Sequence, residues 1–299
     1  MGTTTTVERP EAPAPAPQPA RRPRRRLRWT TATSYTVLTV LALVYVLPFL
    51  VQLANSFKTD AAATADPLDL LPFPPTLSAY AQLFTGQPFA LAATNSVVVA
   101  VCVTAGRVFC SSLAGYALAR LRFRGSSLVM GLFLAVIAVP PVVLLIPKFL
   151  VLNTLGIYNS YTALIIPLVA DAAGVFIMRN FFASLPTSVE EAAKLDGAGA
   201  FRTFWSVVLP MARPAVITIT ILSFQASWNE LSHFVVASNA PELVTLTKLV
   251  AQLASGGLGQ ANQYPLKLAA ALLMTIPVAV LFFVFQKKIM STAEGAVKE

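Results

Sequence analysis

The sequence predicts an all-α polytopic membrane protein of six transmembrane helices, and three observations predict it. Hydrophobic residues make up 56% of the 299 positions and charged residues only 12%, with mean hydropathy +0.69, which is too apolar for an ordinary soluble domain of this size. Six stretches approach the roughly 20 apolar residues that a span requires: 33–54, 94–117, 128–151, 162–182, 215–236 and 266–285. Most of the 22 basic residues fall between these stretches on one side only.

Residues 1–30 pass from a Thr run through the alternating Ala-Pro tract at 12–19 to the cluster Arg21, Arg22, Arg24, Arg25, Arg26 and Arg28. Such a composition buries no core and reads as a disordered cytoplasmic tail ending in a membrane-surface anchor. The apolar stretch that follows is too long for a cleaved signal peptide, and no small-residue cleavage site follows it cleanly. The six-span domain is expected over 31–290, followed by a short cytoplasmic tail at 291–299. Between the first two spans, 56–93 reads as an external loop with a short helix near 77–84. Pro67, Pro72, Pro74, Pro75 and Pro88 punctuate that loop. Cys102 and Cys110 lie eight residues apart in the second span, about 12 Å along a helix, so they cannot pair and read as small packing residues. Pro140, Pro141 and Pro147 in the third span, Pro167 in the fourth and Pro277 in the sixth predict kinked or interrupted helices. In a bilayer such breaks persist only where neighbouring helices or a water-filled cavity satisfy the freed backbone groups, which favours a pathway-forming bundle over a simple anchor.

Charge sets the expected orientation. Arg9 and the Arg cluster precede the first span. Arg120, Arg122 and Arg124 follow the second, Arg179, Lys194, Arg202 and Arg213 surround the loop after the fourth, and Lys287, Lys288 and Lys298 follow the sixth. The other side holds Lys58, Lys148, Lys248 and Lys267. The positive-inside rule then puts both termini in the cytoplasm of a cell-membrane protein, and the net charge of +9 reflects topology rather than a nucleic-acid surface. Three ionisable residues fall where hydrocarbon makes them costly: Arg107, Asp171 and Glu230. Arg107 and Asp171 are expected to approach one another as an intramembrane ion pair, either a neutralised packing pair or one that meets solute.

The most informative segment is 186–210. Thr187 or Ser188 can cap a short helix, with Glu190 or Glu191 three residues on completing a capping box, and Glu190 to Lys194 is a helix-supporting pair. Gly197 and Gly199 permit the reversal that ends it. Phe201, Phe204, Trp205 and Val208 then line one face of a second helix, suited to membrane lipid or to the bundle. Glu191-Ala192-Ala193, Gly197 and Val207-Val208-Leu209-Pro210 resemble the signature of the permease subunits of binding-protein-dependent ABC importers, with Val in place of the family's Ile.

The resemblance extends to the carbohydrate-uptake branch of maltose-permease type, to the shorter of its two permeases. It is carried by Asn55-Ser56-Phe57-Lys58-Thr59, residues 76–80, Asn95-Ser96, residues 113–125 including Gly115-Tyr116-Ala117-Leu118-Ala119-Arg120, residues 155–161, Ser227-Trp228-Asn229-Glu230 and Gly295-Ala296-Val297-Lys298. The tail, Arg107 and Asp171 depart from that pattern. The resemblance implies the type I importer permease fold. It also implies a coupling helix docking Glu190, Glu191, Ala192, Ala193, Asp196 and Gly197 in a cleft of an ATPase. The implied partners are a second, different permease, two copies of an ATP-binding subunit and an extracytoplasmic solute-binding protein. By the same resemblance the loop 236–264, with Gly256 and Gly257, reaches into that binding protein, ordinary loop flexibility being the other reading. Trp228, Asn229 and Glu230 are further candidates for contact with solute or binding protein.

No GxxxxGK[ST] phosphate loop is present, so ATP hydrolysis is assigned to a partner. Adjacent helical Glu190 and Glu191 point about 100° apart with no convergent third group, and no polar set converges within the spans, which argues against a membrane enzyme. A channel or sensory anchor working without an ATPase is the other alternative. His233, the one histidine, cannot assemble a metal site and reads as a hydrogen-bonding residue, or as a solute contact, near the outer mouth of the fifth span. Nothing in the sequence calls for a metal or a cofactor.

Overall fold

The computed structural model describes residues 2, 29–121, 123–256 and 263–296, and among these every regular element is a helix. Most of the basic tail, Gly257 and residues 297–299 lie outside the described residues. Two compact units make up the chain, Met1–Pro48 and Phe49–Glu299.

Helix α1 (Trp29–Ser56) is followed by the short α2 (Asp60–Ala65) and α3 (Ser78–Gly86), the latter where the sequence predicts a short helix. The Asn55-Ser56-Phe57-Lys58 motif holds this connection together. The buried Lys58 Nζ donates to the carbonyls of Asp66 (2.8 Å) and Asp69 (2.6 Å), and Asn55 Nδ2 donates to that of Pro67 (2.7 Å). A buried ammonium is tolerable there because backbone oxygens answer it.

Helix α4 (Phe89–Arg120) runs unbroken for 32 residues with no internal proline, and it packs chiefly on α8, α12 and α7. The third predicted span is bent by 95° between α5 (Ser126–Ile137) and a 3-10 turn at Pro141–Leu144 that leads into α6 (Leu145–Thr154). Pro140 and Pro141 remove two successive N–H donors at the bend. The fourth is interrupted at Ala170 and Asp171, between α7 (Tyr161–Val169) and α8 (Ala172–Ser184).

The segment that follows holds α9 (Ser188–Leu195), α10 (Ala200–Thr203), a π-helical turn at Phe204–Val208 and α11 (Leu209–Met211). The fifth predicted span is shorter than expected. Helix α12 (Arg213–Trp228) stops after 16 residues, and α13 (Ser232–Ala237) begins afresh. Asn229 and Glu230 make the break, because the Glu230 carboxylate accepts the His233 amide (2.8 Å) as a helix cap. A 3-10 turn at Pro241–Leu243 leads to α14 (Leu246–Ser255) and then α15 (Tyr264–Ala296). Among the described residues four helical stretches are long and apolar enough to cross a membrane, and counting each of two bent pairs as one span gives six.

Candidate functional site

Helix α9 opens without the predicted side-chain cap. Thr187 already has helical dihedrals (φ −68°, ψ −27°), so its carbonyl, rather than its hydroxyl, receives the Glu190 and Glu191 amides at 3.0 Å. Its end follows the prediction. Gly197 sits at φ +77°, its amide donates to Lys194 O (3.0 Å), and the Ala198 amide reaches back to Ala193 O (2.9 Å). These two bonds are the paired reversals of a Schellman motif, which needs a residue free to adopt positive φ.

The candidate docking residues do not share a face. Glu190 and Ala193 are buried, whereas Glu191, Ala192, Asp196 and Gly197 are exposed beside Leu195, which is 90% accessible. Glu190 turns towards the Arg120 end of α4. Arg120 Nε lies 2.9 Å from Glu190 Oε1, an ion pair whose N–H is not aimed along a hydrogen-bond line. Arg120 Nη2 donates to Leu185 O (2.5 Å), and the Tyr116 hydroxyl donates a long bond to Glu190 Oε2 (3.4 Å).

Tyr116 packs against Phe182 and Phe204, ring centres 5.8 and 5.1 Å away, which fixes the ring whose hydroxyl reaches the carboxylate. The second helix likewise presents two faces where one was predicted. Phe204 and Val208 point inward, and Phe201 and Trp205 point outward, since adjacent helical residues diverge by about 100°.

The expected Arg107–Asp171 ion pair does not form. Arg107 Nε donates to Leu168 O (2.5 Å), and the Asp171 side chain makes no capping bond at the start of α8. The break at 170–171 explains this geometry. The last carbonyls of α7 have no helical partner and their dipole favours a cation, while the first turn of α8 favours an anion. Arg107 is thereby answered by the end of α7 rather than by Asp171, and Asp171 sits at the start of α8 without a side-chain bond to it.

His233 has a similar role. Pro167 has no N–H for the Ala163 carbonyl one turn earlier, and His233 Nε2 donates to that carbonyl (3.0 Å) from full burial. Trp228 is buried too, stacked on Phe224 (5.6 Å between ring centres) and donating to Met274 O (3.0 Å). Of the residues named as candidate contacts on this side, Asn229 and Gly256 are exposed, Glu230 is half-buried as the α13 cap, and Gly257 lies outside the described residues.

A second polar cluster lies at the Phe89 end of α4. Asn95 Nδ2 donates to Glu242 O (2.9 Å) and Val244 O (2.8 Å), and its Oδ1 accepts the Tyr161 hydroxyl (2.6 Å). Ser96 Oγ accepts the Leu246 amide (2.8 Å), satisfying an otherwise orphaned donor in the first turn of α14. Beside it the Lys248 ammonium donates to Ser238 O, and burial pushes its pKa down. In the sequence, Asn95, Ser96 and Tyr116 stood out only as parts of a resemblance, and Arg120 also as one of the basic residues that set the orientation. The physical signal available for them was the presence of polar groups inside or at the end of an apolar run.

Comparison with known proteins places this arrangement. Residues 111–291 match the family described as binding-protein-dependent transport system inner membrane component. The chain is 37% identical over 247 residues to the sulfoquinovosyl glycerol transport system permease protein SmoH of Agrobacterium fabrum, covering 81% of this chain and 86% of that one. It is 32% identical over 272 residues to the trehalose transport system permease protein SugB of Mycobacterium tuberculosis, covering 89% and 98%. It is 29% identical over 251 residues to the sn-glycerol-3-phosphate transport system permease protein UgpE of Yersinia pestis, covering 82% and 89%. The fold superposes with TM-score 0.80 and 25% identity on a chain from a bacterial ABC transporter involved in the import of the acidic polysaccharide alginate, covering 88% of this chain and 97% of that one. With the matched region reaching from within α4 to α15 and taking in the α9 segment, the chain belongs to the family of binding-protein-dependent transport system inner membrane components.

Proposed function

We propose that this chain is one of two different permease subunits of an ATP-driven importer for a carbohydrate or similar polyhydroxylated solute, and that α9 is its coupling helix. Two copies of an ATP-binding subunit and an extracytoplasmic solute-binding protein complete the transporter, and both termini face the cytoplasm. The observation that carries this reading is the division of α9. Glu191, Ala192, Asp196 and Gly197 form an exposed surface with small residues for close seating and carboxylates for polar or basic groups of a partner, while Glu190 and Ala193 fasten the helix to its own chain. The basic residues concentrated on the α9 side support the orientation. Trehalose, sulfoquinovosyl glycerol and glycerol phosphate, named for the relatives, share a polyhydroxylated skeleton, which supports the solute class.

In this reading, ATP binding draws the ATP-binding subunits together, and α9, seated in one of them, moves with it. Glu190 passes that movement to Arg120 and so into the spans, turning the pathway outward to receive solute, and hydrolysis returns it. The chain supplies no hydrolytic group of its own. The test is purification of the tagged chain from membranes that contain the complete transporter, with uptake of labelled solute measured in parallel. Ala192→Trp, on the exposed side of α9, should lose the ATP-binding subunit and uptake while retaining the second permease. Normal recovery of the ATPase together with normal uptake would refute the assignment. Competition of uptake by neutral oligosaccharides, glycerol-linked sugars and sugar phosphates identifies the solute.

A further inference from the structure

We infer that α4 is the rigid link between the α9 side of the subunit and the segment Pro241–Ser255 on the opposite side, with Arg120 and Asn95 as its positioning residues. The inference rests on the coupling role proposed for α9. At 1.5 Å per residue, the 32 residues of α4 span about 48 Å, enough to traverse a bilayer with its polar margins. No proline interrupts it, whereas the chain bends by 95° at the third span and breaks at residues 170–171 in the fourth.

Each end of α4 is held by buried polar bonds to an element that is not a span. At one end, the Arg120 pair with Glu190 and its bond to Leu185 O bracket the entry to α9. At the other, Asn95 grips two carbonyls of 242–244, and Ser96 caps the first turn of α14. A buried amide with three bonds and a buried ion pair are costly to leave half-made, so each end moves with the element it holds.

Near its Arg120 end α4 is also fastened to α8, the helix that leads into α9. A Cβ on Gly115 would stand 2.8 Å from the Arg179 backbone nitrogen and 2.7 Å from Met178 Cβ, so the two helices meet at van der Waals contact with no slack. Helix α8 begins at the 170–171 interruption and reaches the far side only through α7, whereas α4 crosses without a break. Helices α9, α8 and α4 therefore move as one body, and only α4 extends to the far side.

The experiment uses the complete transporter in lipid nanodiscs, with Cys102 and Cys110 replaced by Ser and an environment-sensitive fluorophore on Gln252→Cys, an exposed position of α14. Adding a non-hydrolysable ATP analogue should change the emission at position 252. Asn95→Ala, and separately Arg120→Ala, should each reduce that change by at least about fivefold, the lower end of ordinary coupling between sites. The double variant should lose no more than the larger single loss, as two cuts in one link do. Ser96→Ala, which removes only the bond to the Leu246 amide, should give a partial loss and keeps the test readable if Asn95→Ala fails to assemble.

An ATP-dependent change that persists within about twofold in assembled Asn95→Ala and Ser96→Ala complexes overturns the inference, as do losses that multiply in the double variant. Failure of the coupling role itself has a different signature. In that case no ATP-binding subunit accompanies the parent complex, and no signal appears before any positioning residue is changed.

Discussion

At the scale of single residues, three ionisable side chains in apolar surroundings are answered by defined groups. Glu190 meets Arg120 and Tyr116, Arg107 meets the end of α7, and His233 meets the carbonyl that Pro167 leaves unpaired. Two predictions belong here. Glu190→Ala strands the Arg120 guanidinium, whose side chain is 10% exposed, and should destabilise the detergent-solubilised protein by about 3–5 kcal/mol. Glu191→Ala, on the exposed side, should stay within about 0.5 kcal/mol. Thermal unfolding of the two variants side by side checks the contrast, and equal midpoints would contradict it. His233→Ala leaves the buried Ala163 carbonyl unpaired and should cost about 1–3 kcal/mol in the same measurement. The sequence located every one of these residues but not their partners. Arg107 and Asp171 were legible as costly charges, and the natural expectation was that they meet. What the pattern does not reveal is that a broken helix offers each of them a dipole end within reach. Glu190 posed the same difficulty, because its distance in sequence from Arg120 hides a pairing that only tertiary packing creates.

At the scale of elements, Pro140 and Pro141 marked a bend, whereas Pro277 sits inside an uninterrupted α15 and the predicted lengths were less reliable still. The bend at 140–141, the short helix after the first span and the glycine stop of α9 follow from local chemistry alone, and the structure has all three. The fifth span was overestimated because Leu231 and the apolar residues of α13 continue the hydropathy of α12 past a polar break. Asn229 and Glu230 were visible there as polar residues, yet their role as a helix stop and cap depends on the backbone they happen to adopt. Close approach of helices was also invisible to composition, since Gly115 and Gly131 look alike in sequence. Gly115→Ala drives a Cβ into the backbone of α8 and should cost about 1–3 kcal/mol. Gly131→Ala has open space around it on α5 and should be neutral or stabilising by up to about 1 kcal/mol. Unfolding midpoints of the two alanine variants decide whether α4 and α8 are as tightly joined as the geometry states.

At the scale of the whole molecule, the spans are joined to a small helix with one side fastened to its own chain and the other exposed, and the proposed coupling role gives that exposed side to a partner. Gly197→Ala tests how much the shape of α9 matters. Its Cβ meets no neighbour, so the penalty is the positive φ alone, about 1 kcal/mol, and the variant should fold and insert. Uptake should nevertheless fall, because the reversal sets the angle at which α9 is presented; unchanged uptake would show that this angle is not critical. The central claim is that the exposed face of α9 seats in an ATP-binding subunit, and site-directed cross-linking tests it most directly. In a chain with Cys102 and Cys110 replaced, Ala192→Cys should form an adduct with the ATP-binding subunit under a short bifunctional reagent, and the buried Ala193→Cys should not. An Ala192→Cys that reacts freely with a soluble thiol reagent yet forms no adduct with an ATP-binding subunit in the intact transporter would contradict the account.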